Sequence, residues 1–279
     1  MAGILYVVGT PIGNLEDVTL RALRVLRDVS VVAAEDTRRT ARLLQHYSIS
    51  TPATSLHEHN ERQKTPALVE RLVRGESIAL VSDAGTPVVS DPGGTLVAAA
   101  REAGIRVESV PGPSAVLAAI SASGLPAGEF TFVGFPPGRS KDRIAWLERV
   151  LREPRLIVLF EAPHRILGTL TDLGGLIGKS TVVGVGRELT KVHEELVVQP
   201  IETLLSYFAD PVGEFTLLIP PRTSPAEATP APEAHSLVRE LGELTENGRL
   251  KRREALKVLA ERHKLAVNAL YKLLGSAGP

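Results

Sequence analysis

The sequence predicts an α/β protein: a doubly wound, mostly parallel five-stranded N-terminal sheet, a second α/β domain with a mixed sheet, and a small helical C-terminal module. Three observations carry that expectation. Over the first 125 residues, short apolar runs alternate with stretches of helical spacing. Residues 126–220 hold five strand candidates but only three helical stretches. A Pro/Ala-rich segment then leads into a basic stretch of helical pattern.

ILYVV (4–8) precedes TLRALRVLRDV (19–29), where Leu20, Leu23 and Leu26 recur at helical spacing. SVVAAED (30–36) leads into TRRTARLLQHY (37–47), and ATSLHEH (53–59) into a helix over TPALVERLV (65–73). SIALVSD (77–83) leads into GGTLVAAAREAG (93–104), and IRVESV (105–110) into SAVLAAISASG (114–124). Apolar strands alternating with helices read as a parallel sheet covered on both faces. Right-handed crossovers wind such a sheet, and ligands sit at the carboxyl ends of its strands.

In the second half, FTFVGF (130–135), LIVLFEA (156–162), TVVGVGREL (181–189), EELVVQP (194–200) and FTLLIP (215–220) are the strand candidates. Helices are expected near 140–152, 164–174 and 201–208. The link from 189 to 194 is too short for a helical crossover, so a hairpin and a mixed sheet are predicted. Gly/Pro punctuation at GLPAG (124–128) divides the chain into domains over 1–125 and 126–220. Residues 221–234 read as an extended linker. The module over 235–279 is expected to hold helices at 235–247, 251–263 and 266–274.

Composition narrows the function classes. The 279 residues are 43% hydrophobic and 23% charged, an ordinary globular profile. Thirty-two Lys+Arg balance thirty-two Asp+Glu, so no global field selects nucleic acid or membrane. The charge is unevenly placed: Gly248 to Lys272 holds eight Lys/Arg and two Glu, a local +6. Zero cysteines exclude disulfides, thiolate zinc and a Cys nucleophile. No apolar run approaches the roughly 18–20 residues a bilayer needs. The opening MAGILYVVGTP has no basic n-region and runs into a strand, so a cytoplasmic protein is expected.

Two phosphate-loop readings fail. GGLIGKST (174–181) is one residue short of a Walker A loop and follows a helix, where the mechanism needs strand–loop–helix. It reads as a helix C-cap with a surface lysine. VGVGREL (183–189) ends in Leu189 with no helix opening there, so it is no dinucleotide fingerprint. His57 and His59 share a face of a predicted strand without a third ligand, and no metal site is expected. Stronger signals sit at strand ends. In VVGTPIGNLED (7–17), Pro11 fixes φ, Gly13 permits a close approach, and Asn14 to Asp17 offer capping groups. SDAGTPVVSDPGG (82–94) is a long loop at a sheet's carboxyl edge, a costly feature unless it shapes a site. In it Asp83 is placed to accept hydrogen bonds from a ligand, and Asp91 reads as the next helix's N-cap. Gly112 and Ser114 of VPGPSA (110–115) open the following helix. Glu161, His164, Arg165, Arg187, Glu188 and Lys191 crowd two further strand ends, as one cleft or as surface ion pairs of about 0–1 kcal/mol each.

Taken in order, VGTPIGNLEDVTLRAL, AAEDTRRT, SLHEHN, SDAGTPVVSDPG, VPGPSA, FVGFPP, FEAPHRI and GRELTK resemble the tetrapyrrole-methylase superfamily. More narrowly they resemble its bacterial branch that 2′-O-methylates a cytidine ribose of 16S rRNA in the decoding centre. The resemblance covers 4–220, and the basic stretch 250–274 resembles that branch's C-terminal extension. It implies S-adenosylmethionine bound in a cleft between two α/β domains, largely through backbone groups. Carried over by motif, the cofactor positions are Pro11, Asp83, Ala84, Gly85, Val88, Gly112, Ser114 and Ala115 in the first domain. In the second they are Phe160, Glu161, Arg187, Leu189 and Thr216.

For the chemistry, Lys191 and Glu188 are the first candidates, with Glu161 and His57 behind them; Lys191 would need a depressed pKa to act as a base. The expected RNA contacts are Arg38, Arg39 and Arg42, then Arg139, Lys141 and Arg143, then Lys251, Arg252, Arg253 and Lys257 of the module. The implied partner is 16S rRNA within the 30S subunit, and the implied assembly a homodimer. Two other readings are open at this point. One keeps fold and cofactor but methylates a tetrapyrrole or a diphthamide precursor. The other is a DNA-binding regulator whose last two helices form a helix-turn-helix.

Overall fold

The computed structural model describes residues 2–221, 234–246, 250–262 and 270. The chain divides into two compact units, 1–221 and 222–279. The larger contains both sheets. In the first, β1 (Ile4–Val8), β2 (Val31–Ala34), β3 (Ala53–Ser55), β4 (Ile78–Val81) and β5 (Arg106–Val110) are all parallel, in the order β3-β2-β4-β1-β5. Every residue of β2 and β4 is buried, which is why those strands are unbroken apolar runs. Helices α1 (Leu20–Asp28) and α2 (Thr37–His46) cover one face, seating Leu26 and Leu43 against Val8, Val32 and Val81. Helices α3 (Glu61–Val73) and α4 (Gly94–Glu102) cover the other, with Leu68, Leu72 and Leu96 against Leu5, Ala33 and Leu80. Each such leucine contributes about 1.5–3 kcal/mol by burial.

Helix α5 (Ala115–Ser123) follows β5 but buries Val116 and Ala119 against Leu156, Val158 and Leu218 of the second sheet. That sheet runs β6-β7-β10-β8-β9, built from β6 (Phe130–Phe132), β7 (Leu156–Glu161), β8 (Val182–Arg187), β9 (Glu195–Pro200) and β10 (Phe215–Ile219). Only β6 and β7 are parallel, and β8–β9 is the expected hairpin. Its outer face is covered by α6 (Ser140–Val150), α7 (Pro163–Ile177) and α8 (Ile201–Tyr207), through Leu147, Ile166, Leu170 and Leu204. Its inner face meets α5 together with Ile12 and Leu189. The inner seam between the sheets is therefore where the first and second halves touch.

Several expected boundaries move. Strand β3 stops at Ser55, because Asn60 Oδ1 takes the His57 N–H at 2.9 Å and turns the chain; His57 and His59 are in that turn. Helix α3 opens at Glu61 and carries Pro66 inside, with Thr65 Oγ1 donating to the Glu61 carbonyl at 2.8 Å. Helix α7 runs on through Gly174, whose missing side chain admits Ile201, and is followed by a strand, as the rejection of a phosphate loop requires. Asp91 is not an N-cap: Gly93, at φ +118°, holds that position in α4.

In the smaller unit, α9 (Ala234–Glu246) and α10 (Arg252–Arg262) share a core of Leu237, Leu256, Leu259 and Leu270, and Arg262 meets Glu240 at 3.3 Å. The linker over 222–233 lies outside the described residues, as does the third expected helix over 266–274 apart from Leu270. Among the described residues, no helix is long and apolar enough to cross a membrane and no group of three acidic, His or Cys side chains is placed to hold a metal.

Candidate functional site

Three strand ends of the first sheet converge, and backbone rather than side chains locks them. Gly9, after β1, lies so near Gly112, after β5, that a Cβ on either would sit 2.8–2.9 Å from the other's main chain. Thr10 and Gly85 exchange N–H···O bonds of 2.8 and 3.1 Å, tying the β1 loop to the β4 loop. Thr10 Oγ1 also donates to the Ser82 carbonyl at 3.2 Å. The β4 loop is strained: Val88 at φ +77° and Ser90 at φ +64° lie in the left-handed region, which for non-glycine residues costs about 1–3 kcal/mol each. Gly13 presses onto the Leu189–Lys191 turn of the second sheet, where a Cβ would meet Thr190 Oγ1 at 2.8 Å and the Leu189 carbonyl at 3.0 Å.

Two cavities flank the β1 loop. The first, of about 430 Å³, is lined by Pro11, Asp83, Ala84, Arg39, Arg42 and Lys191, with Ile12, Leu15 and Leu43 as apolar wall. The second, of about 570 Å³, is lined by Gly112, Ser114 and Thr190, with Ile12 shared. Thr190 Oγ1 is buried with no hydrogen-bond partner. Ala115, Phe160 and Leu189 pack in the apolar seam with Ile12, and Thr216 is buried beside Phe160 in the ladder. Gly85 sits at the bridge to Thr10, and Val88 is exposed on the strained loop. Of the expected cofactor positions, Pro11, Asp83, Ala84, Gly112 and Ser114 line the two cavities, and two others are turned to partners of their own. Glu161 is 2% exposed and spends its carboxylate on Arg165 Nε (2.6 Å), Thr169 Oγ1 (2.6 Å) and the Ala162 N–H (2.8 Å). Arg187 is turned to Glu195 at 3.3 Å.

Lys191 sits between two carboxylates. Its Nζ lies 2.7 Å from Glu188 Oε1 and 3.2 Å from Glu214 Oε2. Burial pushes the ammonium pKa down, but the hydrogen bond to Glu188 and the charge of Glu214 outweigh it, and the pKa ends above the ordinary lysine value. Glu188 is pushed up by burial and pulled further down by Lys191 and the Glu214 N–H, so it stays anionic. Lys191 is thus held as a cation with Glu188 as its counter-ion, the opposite of the depressed pKa that a base needs. Glu188 and Thr190 adopt φ +50° and +67°, the turn that folds the lysine back. Glu214 was missed because it precedes an antiparallel strand, where no strand-end rule looks.

A group of acids gathers around Asp83, which lines the first cavity. Asp83 Oδ1 accepts from the Asp36 N–H at 2.9 Å, its Oδ2 lies 3.5 Å from Arg39 Nε, and its own N–H points to Glu35 Oε2 at 3.4 Å. Burial raises Glu35 above the ordinary carboxylate range, aided by the Asp83 charge. Asp91 is pushed up to about 6, first by burial and then by the charges of Glu35 and Asp83, against a hydrogen bond from Ser82. The sign follows: the unfolded state gives up this proton first, near 3.8, so the acid opposes folding as pH rises from there through about 6. Asp91→Asn is expected to raise stability at pH 7.5 by about 1 kcal/mol, discounted for solvent screening, or roughly 2–4 °C in Tm. The gain should vanish near pH 4 in calorimetric melts.

Of the expected phosphate contacts, Arg38, Arg39, Arg42, Arg139, Lys141, Lys251, Arg252 and Lys257 are exposed. Arg253 lies in α10, with its side chain outside the described residues. Arg143 is a correction: it is 6% exposed and bonds Asp172 Oδ2 through Nε (2.8 Å) and Nη2 (2.7 Å). Among the cations lining the first cavity, Arg39 and Lys191 face carboxylates, whereas Arg42 has no ion-pair partner among the described residues. His57 is held by Asn60 Nδ2 at 2.9 Å from its Nε2, outside both cavities.

Two sheets meeting at a seam within one compact unit, with glycine-locked strand ends on one side and a charged turn on the other, define a two-sheet α/β class. The chain belongs to the tetrapyrrole (corrin/porphyrin) methylases, whose family model matches residues 4–205. Within that class it is similar to proteins named ribosomal RNA small subunit methyltransferase I: 46% identical over 273 residues to that of Synechocystis sp., covering 97% of each chain, and 44% identical to that of Escherichia coli O157:H7, covering 97% of this chain and 94% of that one. The Thermotoga maritima protein of the same name is 45% identical, and 78% of this chain covers 98% of it. The fold is also that of uroporphyrin-III-C-methyltransferase from Thermus thermophilus (23% identity, TM-score 0.56, covering 78% of this chain and 94% of that one) and of a diphthine synthase (16%, TM-score 0.61, covering 77% and 89%).

Proposed function

We propose that this chain transfers a methyl group from S-adenosylmethionine to the 2′-hydroxyl of a cytidine in 16S rRNA, acting in the cytoplasm as a homodimer on the 30S subunit. The observation that carries the reading is the first cavity, where the strand-end positions Pro11, Asp83 and Ala84 share one space with Arg39, Arg42 and Lys191. The kinship with ribosomal RNA methyltransferases supports the acceptor class.

The residues present fit the cofactor. Pro11, Asp83 and Ala84 on one side of the β1 loop and Gly112 and Ser114 on the other would hold it, and Thr190, which lines the second cavity, has a buried hydroxyl with no hydrogen-bond partner. When bound, S-adenosylmethionine supplies an electrophilic methyl group on a sulfonium centre. The chain's part is alignment of the acceptor oxygen, which can supply much of the acceleration without covalent catalysis. Arg42 anchors an acceptor phosphate, being the lining cation with no carboxylate to neutralise it, and Lys191 adds fixed positive potential behind it. The proton acceptors on the cavity wall are the carboxylates of Asp83 and Glu214. The apolar wall of Ile12, Leu15 and Leu43 keeps water from the sulfonium. The basic segment of the smaller unit, with Lys251, Arg252, Arg253 and Lys257 in sequence, docks the RNA.

The test is label transfer from radiolabelled S-adenosylmethionine to 30S subunits lacking the modification, with porphyrinogen and duplex DNA as alternatives. Label in a cytidine ribose of 16S rRNA is the expected result. Arg42→Ala should cut transfer, leave cofactor affinity unchanged and reduce the salt slope of RNA binding by about one. Label in a macrocycle, or duplex binding without transfer, contradicts the proposal.

A further inference from the structure

Glu61 lines neither cavity and belongs to no expected site, yet its carboxylate sits at the far end of the loop that the proposed function assigns to the cofactor. It is 8% exposed, and its Oε1 accepts from three backbone N–H groups at the start of α4: Gly93 (3.1 Å), Thr95 (2.7 Å) and Leu96 (3.3 Å). The Thr95 and Leu96 N–H groups are the orphan donors that an N-cap side chain ordinarily satisfies, and the Gly93 N–H is that of the N-cap itself. Gly93 has no side chain to offer and cannot gain one: φ is +118°, and a Cβ would meet Leu80 Cδ2 at 2.6 Å. The cap is therefore supplied from 32 residues upstream in sequence.

The SLHEHNE segment is organised to present it. Asn60 gives α3 no side-chain cap, because its Oδ1 takes the His57 N–H and its Nδ2 reaches His57 Nε2 and Ser55 Oγ. That arrangement fixes the turn from which Glu61 opens α3. The backbone of the loop over 82–93 is held at its start by Thr10, through the Ser82 carbonyl and Gly85, and by Glu35 at the Asp83 N–H, and at its far end by Glu61 at Gly93. Between these ends lie Val88 and Ser90 in left-handed conformations, which persist only where the surrounding structure fixes them.

We propose that Glu61 is a positioning residue for methyl transfer: by bonding the start of α4 it holds the strained 82–93 loop in the shape that binds the sulfonium donor. This rests on the reading that Asp83 to Val88 contact S-adenosylmethionine. Glu61 touches no reacting atom, so its loss acts on cofactor affinity and not on the chemical step.

The experiment measures KM for S-adenosylmethionine, kcat at saturating cofactor, and direct binding by calorimetry, at a temperature well below each variant's melting point. Glu61→Ala is expected to raise KM and Kd at least tenfold with kcat within threefold of wild type. Glu61→Gln, which keeps an acceptor oxygen, should stay within threefold throughout, and Glu61→Asp, shorter by one methylene, should fall between. A role in stability alone would lower Tm in step with the lost bonds and leave KM where it was; that result overturns the assignment. Should the alanine variant fail to fold, the Gln/Asp pair decides: equal KM values overturn it. Asp83→Asn separates the two layers. If it weakens binding and Glu61→Ala does not, the positioning role is wrong. If neither does, the loop does not bind the cofactor, and the assignment falls with that reading.

Discussion

Gly9→Ala is expected to abolish methyl transfer and cofactor binding while costing about 2–3 kcal/mol of stability. The added methyl carbon would stand 2.8 Å from both the N and the Cα of Gly112. Neither atom belongs to a flexible side chain, so the β1 and β5 ends must part. Overpacking of this kind typically costs 1–3 kcal/mol. The functional loss should be larger than the stability loss, because the same crossing sets the spacing between the two cavities. Urea unfolding and calorimetric binding read the two effects separately. Gly128→Ala, with open space around its Cβ, is the control and should change neither by more than about 0.5 kcal/mol. A Gly9→Ala protein that binds the donor normally would show that this crossing does not shape the site.

Arg143→Ala is expected to destabilise the protein by about 3–5 kcal/mol, the usual cost of stranding one partner of a buried ion pair. Asp172, itself largely buried, would keep only the Ser140 hydroxyl, at 3.1 Å. Roughly 10 °C in Tm is the corresponding shift, with RNA affinity of the folded fraction unchanged. Arg42→Ala should show the opposite pattern, near-wild-type stability with weakened RNA binding. Reversal of the two patterns would put Arg143 on the RNA surface after all.

These two arginines show what the sequence holds and where a local reading stops. Arg143 was grouped with Arg139 and Lys141 by proximity in the chain. Yet Arg143, Leu147 and Val150 recur at helical spacing and are all buried, so the helix phase already placed Arg143 inward. The sheets were legible because β2, β4, β7 and β10 are apolar runs with turn residues at their ends. The gathering of strand ends was legible for the same reason, since parallel topology sends all their loops to one edge. The surroundings of Lys191 were only partly so: beside Glu188, three residues away, its Nζ meets Glu214, 23 residues away and brought near by the β10–β8 pairing. Asp91 was misplaced because the Asp-Pro-Gly-Gly stretch looks like a cap, while the capping oxygen comes from Glu61 on a different helix. Pairings between distant segments set protonation and capping, and a motif read alone does not carry them.

On the proposed function, the crossing of the β1, β4 and β5 loops against the Leu189–Lys191 turn holds S-adenosylmethionine. Isothermal titration of the full chain with S-adenosylmethionine and with S-adenosylhomocysteine tests it most directly. The account predicts saturable heat with one site per chain for both, lost in Gly9→Ala and kept in Arg42→Ala. No heat with either compound, in the presence or absence of 30S subunits, would contradict it.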